Sequence, residues 1–349
     1  MAEKFGPKLT SSEYEILKAV PLSQNYTQVA EKAKFSVAYV SRKLKALREK
    51  VTFRAIFDLE AIGLKQMLIL AEYDPEFAAS IKEVKIPFIL FVAHLVSGKK
   101  DYLWLHVAPP AERSDEFVDW LQLKILEKHV VEDFYTWRPD TAMLTTYENG
   151  YVAGDLEKLG EVYETVSTER PRAKIRRIPD EIDLWLMNIL MEYPFTKLSR
   201  EAAKEGIRQQ VASYHLIRHV RPLWLYNVVR LKIDPDQVPT KVYYFGTSDN
   251  ESAKRLAATL VQTPYVPVSF VEGNKVFAYT TIPTGLEMKL VRSVRAIDSV
   301  EEFNEIAAME KDLILEITRP FGRDVGGGRW IMDRFYQAVR ALRVKKEEA

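Results

Sequence analysis

Two stretches of this 349-residue chain carry side chains of the kind that read a base edge. In the first, Ser36, Tyr39, Ser41 and Arg42 fall where a helix presents them outward, and Lys43, Lys45 and Arg48 follow as phosphate partners. In the second, Arg208, Gln209, Gln210, Ser213 and Tyr214 take the outward positions, with Arg218 and Arg221 placed to hold a nucleic-acid backbone. A helix fits the major groove of a duplex, where glutamine pairs with adenine and arginine with guanine, so the two helices are expected to prefer different bases. Basic residues on a helix also make an ordinary solvated face, so the chemistry depends on the module that carries them.

Signals for other chemistry are sparse. The histidines are His94, His106, His129, His215 and His219. His215 and His219 stand one helical turn apart, a spacing that can hold a metal, but no third ligand stands out and no His-Glu-x-x-His pattern occurs. They are expected to be a structural or DNA-contacting pair, with no metal, and His94 and His106, in expected strands, to be packed. No glycine-rich phosphate loop with a following lysine is present, and Gly326-Gly327-Gly328 reads as a flexible joint. Acidic pairs such as Asp115-Glu116 and Glu301-Glu302 suit solvated helix starts. The absence of cysteine excludes disulfides, thiolate metal sites and cysteine nucleophiles. The expectation is a protein that is not an enzyme and needs no cofactor.

Composition sets the class. A hydrophobic fraction of 47%, a charged fraction of 28% and a formal net charge of +1 describe a globular chain whose nucleic-acid contacts must come from local basic patches. No run is apolar enough for a membrane span, and the start of the chain lacks the apolar core of a signal peptide, so a cytoplasmic protein without membrane contact is expected.

The elements that position these residues recur. A helix from Ser12, with Glu15 as its capping-box partner, a short helix over 27–33 and a third over 36–50, with Val40, Leu44 and Leu47 inward, make a helix–turn–helix. Strands over 51–58, 66–72, 89–96, 102–107 and 130–135, with helices over 75–84 and 114–127, follow in the ferredoxin-like order βαββαβ. Asp180 caps a second helical triplet, with helices over 199–205 and 207–220. Strands over 228–233, 240–246, 266–271, 275–282 and 295–303, with helices near 251–261 and 284–294, repeat the pattern. The stretch from Phe57 to Lys65 returns as Ile233 to Lys241, 176 residues later. A bridging helix over 155–167, a basic linker over 170–177 and an amphipathic tail helix over 330–344 complete the chain. The expected division is a helix–turn–helix domain 1–52, a ferredoxin-like effector and dimerisation domain 53–146, a bridge 147–179, a second helix–turn–helix 180–227, a second ferredoxin-like domain 228–322 and a C-terminal helix 323–349.

On these residues the chain resembles the Lrp/AsnC family of archaeal and bacterial transcription regulators, as two tandem units. Phe35-Ser36 with Val40, Leu44 and Leu47 is similar to the family's recognition-helix pattern, and Phe57 to Gly63 looks like its "D-P-x-x-L-G" segment, with Pro235 restoring the proline in the second copy. Gly98-Lys99-Lys100-Asp101-Tyr102-Leu103 is similar to its "G-x-x-D-Y-x-L" hairpin, whereas Glu272 to Phe277 lacks the Asp-Tyr pair. The resemblance implies an α+β fold of two units, each a (winged) helix–turn–helix followed by a ferredoxin-like domain and related by a pseudo-twofold. It further implies double-stranded DNA as partner, a small-molecule effector such as an amino acid near Gly98, Asp101 and Tyr102, and higher-order homo-oligomers. Two enzyme-or-scaffold alternatives stand beside it. Siroheme decarboxylases are built from similar paired units and bind a polycarboxylate tetrapyrrole with His and Arg side chains, and a scaffold could use both helical modules for assembly.

If the DNA roles hold, Arg42→Ala or Arg208→Ala weakens specific duplex binding by ~1–3 kcal/mol, whereas Lys45→Ala lowers affinity about equally on all sequences. Parallel titrations of specific and random duplex separate these outcomes, and uniform losses for all three variants refute the assignment.

Overall fold

The computed structural model describes residues 6–348, with side chains described as far as Leu342. The chain opens with helices α1 (Ser11–Ala19), α2 (Tyr26–Ala33) and α3 (Val37–Leu47), then strand β1 (Val51–Phe57). Next come β2 (Met67–Glu72), α4 (Pro75–Ser80), β3 (Ile89–Ser97), β4 (Lys100–Val107), α5 (Ser114–Leu121) and β5 (Ile125–Val130). The middle of the chain forms β6 (Asp133–Thr136), the hairpin β7 (Thr145–Glu148) and β8 (Tyr151–Gly154), and α6 (Leu159–Thr165). Helices α7 (Glu181–Glu192), α8 (Leu198–Lys204) and α9 (Gln209–His215) lead to β9 (Trp224–Leu231). Then follow β10 (Lys241–Thr247), α10 (Asn250–Leu260), β11 (Val268–Glu272), β12 (Lys275–Thr280), α11 (Thr284–Arg295) and β13 (Val300–Glu316). The chain ends with β14 (Val325–Gly326), β15 (Arg329–Trp330) and α12 (Asp333–Glu348).

These elements divide into two compact units. Unit 1 takes the chain up to Arg54, Val131–Arg170 and Tyr226–Met309; unit 2 takes Ala55–Val130, Pro171–Leu225 and the chain from Glu310 onward. Each unit thus joins a helical triplet from one half of the sequence to a ferredoxin-like sheet from the other.

In unit 1 the sheet runs β13-β10-β12-β11-β6, each neighbour antiparallel. Its first four strands, numbered along their own run, stand in the order 4-1-3-2 that a split βαβ requires. The helical triplet hangs on a carboxylate. Thr10 caps α1, and Glu13, buried at the third position of that helix, accepts the Thr10 N–H at 2.9 Å. Glu13 also meets Lys43 Nζ of α3 at 3.3 Å and Lys50 Nζ at 3.2 Å. The capping box therefore lies two residues earlier than the expected Ser12 and Glu15. Glu13 can reach α3 from the inner face, while Glu15 pairs with Lys18 on the surface at 2.8 Å. Asn227, fully buried, donates from its amide to Val20 O at 3.1 Å and Ser23 O at 2.6 Å, fixing the end of α1.

In unit 2 the sheet runs β5-β2-β4-β3, again 4-1-3-2, and continues to the end of β13, where Ile317 N–H donates to Leu90 O at 2.9 Å. Alternation along β2 and β4 buries Met67, Ile69, Leu103 and Leu105 in a core that also takes Leu184, Leu186 and Ile189 of α7. The C-terminal helix closes that core: Phe335 is fully buried and stacks on Phe117 with ring centroids 4.4 Å apart. Trp330 Nε1–H donates to Ile62 O at 2.7 Å.

Several elements differ from the sequence reading. The helix expected to reach residue 127 stops at Leu121, because Gln122 turns left-handed at φ 54°, and the strand expected over 130–135 is two strands, β5 and β6. The strand expected over 295–303 starts only at Val300 and runs 17 residues, since Arg295 still belongs to α11. Gly326-Gly327-Gly328 is not a loose joint but the turn of a hairpin, with Gly327 and Gly328 at φ 60° and 73° and Gly326 paired to Arg329. Asn149 and Gly150, both at positive φ, close the β7–β8 hairpin as a type I′ turn that the sequence reading passed over. Among the described residues no helix is long and apolar enough to cross a membrane.

Two outcomes follow. Phe335→Ala should cost ~3–5 kcal/mol, read by denaturant unfolding; a change below ~1 kcal/mol would mean that α12 is not part of the core of unit 2. Burial acts to raise the Glu13 carboxyl, but the Thr10 N–H and the Lys50 and Lys43 ammonium groups outweigh it and hold it below its ordinary value. Its contribution is therefore present above the ordinary carboxylate range and is lost as pH falls through the lowered one. Melting curves against pH should show that loss in the native chain and a flatter acid limb in Glu13→Gln.

Candidate functional site

The first candidate surface is α3. Ser36 caps it, its side chain accepting the Tyr39 N–H at 3.3 Å, and Val40, Leu44 and Leu47 seat it. Ser36, Arg42, Lys45 and Arg48 are exposed, Ser41 partly so. Arg42 lies over the Tyr39 ring at 5.7 Å, and the Tyr39 hydroxyl is 2.9 Å from Ser12 Oγ. Lys43, placed by the sequence on the phosphate side, meets Glu13.

The second candidate surface is α9 with the π-helical turn that continues it, Leu216–Val220. Arg208, Gln209, Gln210, Tyr214 and Arg218 are exposed, Ser213 and Arg221 partly so. Beneath this face lies a polar cluster. Asp180 caps α7 and forms a capping box with Asp183, whose side chain is 1% exposed. Asp183 Oδ2 accepts from Arg177 Nη2 at 3.0 Å and from the Asp180 N–H at 3.1 Å. His215 Nδ1 and His219 Nδ1 both approach Asp183 Oδ1, at 2.9 Å and 3.1 Å. The acidic partners of the histidine pair were out of sight in the sequence, where Asp180 reads as an ordinary helix cap and Asp183 lies 32 residues before His215.

The third candidate is a cavity of about 560 Å³ inside unit 2. The start of α7 supplies Glu181, Ile182, Trp185 and Asn188; the turn before α9 supplies Glu205 and Ile207; Lys85, Ile86 and Pro87 come from the approach to β3. The opposite wall is the loop Arg319-Pro320-Phe321-Gly322-Arg323, joined by Arg334 of α12. Local hydrogen bonds fix this loop. Asn188 Nδ2 donates to Phe321 O at 2.5 Å, Phe321 N–H donates to Asn188 Oδ1 at 3.3 Å, and Gly322 N–H donates to Asp324 Oδ2 at 2.5 Å. The lack of a side chain at Gly322 makes room for the Arg334 guanidinium, since a Cβ there would fall 1.3 Å from Arg334 Nη1. Burial raises the Asp324 carboxyl, against the pull of the Gly322 N–H and of Arg334.

The cavity therefore carries Lys85, Arg319, Arg323 and Arg334 against Glu181 and Glu205, with Trp185 as its partly exposed aromatic side chain, while Phe321 is turned into the core at 4% exposure. Two of its cations rest on exposed partners: Arg319 Nε is 2.7 Å from Glu192, and Arg323 Nε is 3.8 Å from Glu181. Exposed pairs of this kind are weak, so an incoming carboxylate can take their place. None of the residues singled out in the sequence lines this cavity. The expected effector residues lie elsewhere, in the β3–β4 hairpin. Gly98 turns at φ 62°, Tyr102 is half-buried, and Asp101 Oδ1 lies 2.9 Å from His94 Nε2. His94 in turn stacks on Tyr73 at 4.1 Å.

No protein-family model matches the sequence, and no curated protein does. Among solved structures, the chain is similar to the crystal structure of the siroheme decarboxylase NirDL, at 14% identity and a TM-score of 0.50, over 97% of this chain and 100% of that one. The structure of NirDL in co-complex with an iron-uroporphyrin III analogue gives 11% identity and a TM-score of 0.51, over 96% of this chain and 100% of that one. The Mycobacterium tuberculosis leucine response regulatory protein LrpA covers 36% of this chain at 18% identity, with a TM-score of 0.26 that adds no weight. The likeness is one of fold, and it supports the Lrp-like resemblance at that level alone. It overturns the expectation that the chain is not an enzyme, because a decarboxylase has this fold over its full length. Helical modules of the DNA-reading type are therefore no sign against catalysis.

Proposed function

We propose that this chain is an enzyme of the siroheme-decarboxylase type that binds a polycarboxylate tetrapyrrole and removes a side-chain carboxyl group as CO2. The observation that carries the reading is the cavity of unit 2, where four cations stand beside Trp185. Guanidinium groups hold carboxylates through two parallel N–H donors each, and they stay charged at any working pH. Arg319, Arg323 and Arg334 would anchor the carboxylates that remain, while the partly buried Trp185 receives the flat apolar face of the macrocycle. Loss of CO2 leaves an electron pair on the side-chain carbon, which the conjugated ring disperses until a proton replaces the lost group.

The full-length likeness to a siroheme decarboxylase supports this reading, and the shared 4-1-3-2 strand order of the two units fits a duplicated ancestral unit. A DNA-reading role is the second reading. Its specific support is the exposed set Ser36, Arg42 and Lys45 on a capped, well-seated α3.

Titration with siroheme followed in the Soret band should give a saturable shift, and mass spectrometry after incubation should find product that has lost CO2. Arg334→Ala should weaken binding at least tenfold, in keeping with ~1.5–3 kcal/mol for a hydrogen bond to a charged group. Gly322→Ala should weaken it in the same direction with little change in melting temperature, because the new methyl pushes the flexible end of Arg334 aside. A flat titration with siroheme, together with salt-dependent retention on duplex DNA, would reject the enzyme reading in favour of the second.

A further inference from the structure

The histidine pair of α9 and its π-helical extension has acidic partners that are arranged as ligands. His215 Nδ1, His219 Nδ1 and Asp183 Oδ1 form a triangle with sides of 2.9, 3.1 and 3.3 Å, and Asp180 Oδ1 lies 3.4 Å from His215 Nδ1. All four ligand atoms fall within 4.8 Å of one another. The circle through the three inner atoms has a radius of roughly 1.8 Å, so an ion about 1 Å above their plane would meet each at ~2.0–2.1 Å, the distance zinc takes to nitrogen and carboxylate oxygen.

We propose that Asp183, His215 and His219, with Asp180 as the outer ligand, form a binding site for a divalent transition metal of the zinc class. Two further features fit this use. Asp183 is oriented by Arg177 and by the Asp180 N–H on its other oxygen, so Oδ1 is directed at the two rings. The helix changes to π-helical form immediately after His215, and single π-turns of this kind recur at functional sites. Burial is graded: the side chain of Asp183 is 1% exposed, His215 13%, His219 19% and Asp180 48%, which leaves the Asp180 side as the way in. Two imidazoles with two carboxylates favour zinc, cobalt or nickel over magnesium or calcium, which prefer all-oxygen shells.

The bound ion would tie the start of α7 to the end of the third helix of its own triplet. It would thereby fix the helix that bears Arg208, Gln209, Gln210 and Tyr214. The inference is independent of the cavity and of the decarboxylase reading, since it uses none of the same residues.

The test uses the intact chain after chelator treatment, titrated with Zn2+ against a chromophoric competitor and with Co2+ as a spectroscopic probe. One equivalent should bind, Co2+ should give the visible bands of a low-symmetry, tetrahedral-like site, and Zn2+ should raise the melting temperature. His219→Gln, at the rim of the cluster, should weaken Zn2+ binding at least tenfold and abolish the melting shift, and Asp183→Asn should do the same. His94→Gln, on another sheet position, should leave the titration unchanged. Comparable melting of metal-free His219→Gln and metal-free native chain keeps the comparison valid if Asp183→Asn folds poorly. Failure of the native chain to bind an equivalent, or unchanged binding in His219→Gln, would overturn the proposal.

Discussion

A buried carboxylate at the third position of a helix holds each helical triplet of this protein together. Glu13 does so in unit 1 and Asp183 in unit 2. Both accept the backbone N–H of their own capping residue, and both collect basic side chains: Lys43 and Lys50 for Glu13, and Arg177, His215 and His219 for Asp183. A carboxylate taken out of water must be met by donors on all sides, and the third helix is the element that brings them. Each of these carboxylates ties the first helix of its triplet to side chains of the third helix or of the turn that continues it. The two units answer the same need with different chemistry. Two lysines meet the carboxylate in unit 1, whereas an arginine and two imidazoles meet it in unit 2.

Much of the scaffold was legible from the sequence, and the reasons are physical. Helical spacing and apolar runs pointed to the elements: Val40, Leu44 and Leu47 mark α3, and the apolar run of β2 marks a strand buried on both faces. Breaks that rest on a single backbone angle were harder. Gln122 ends α5 in a left-handed conformation without being a glycine, so nothing in its side chain announced the stop. Glu13 and Glu15 are both plausible capping partners by spacing, and only the reach to α3 distinguishes them. Asn149-Gly150 carried a readable turn signal, yet the strands it joins are only four residues each.

The sites were less legible than the scaffold. Arg319, Arg323 and Arg334 lie far along the chain from Lys85 and Trp185, and each by itself looks like a surface cation. Only the fold, through the Asn188 clamp on Phe321 and the lack of a side chain at Gly322, gathers them round one cavity. Asp183 was hidden for the opposite reason: a local role at a helix start is enough to account for it until the histidines are seen above it. Base-reading positions on α3 and α9 were visible from helical spacing, but spacing does not say whether a polar face meets a nucleic acid or water.

The interleaving of the two halves has a consequence for biosynthesis. Neither unit is complete within a continuous stretch of chain: the sheet of unit 2 is translated before its helical triplet, and the triplet of unit 1 long before its sheet. A ribosome must therefore release well over half of the polypeptide before either core can close, and the early helices must wait, partly unburied, for partners not yet made. Slow elongation or premature termination would leave apolar surfaces without cover, so the cellular yield of this protein should depend on chaperone capacity more than its final stability would suggest.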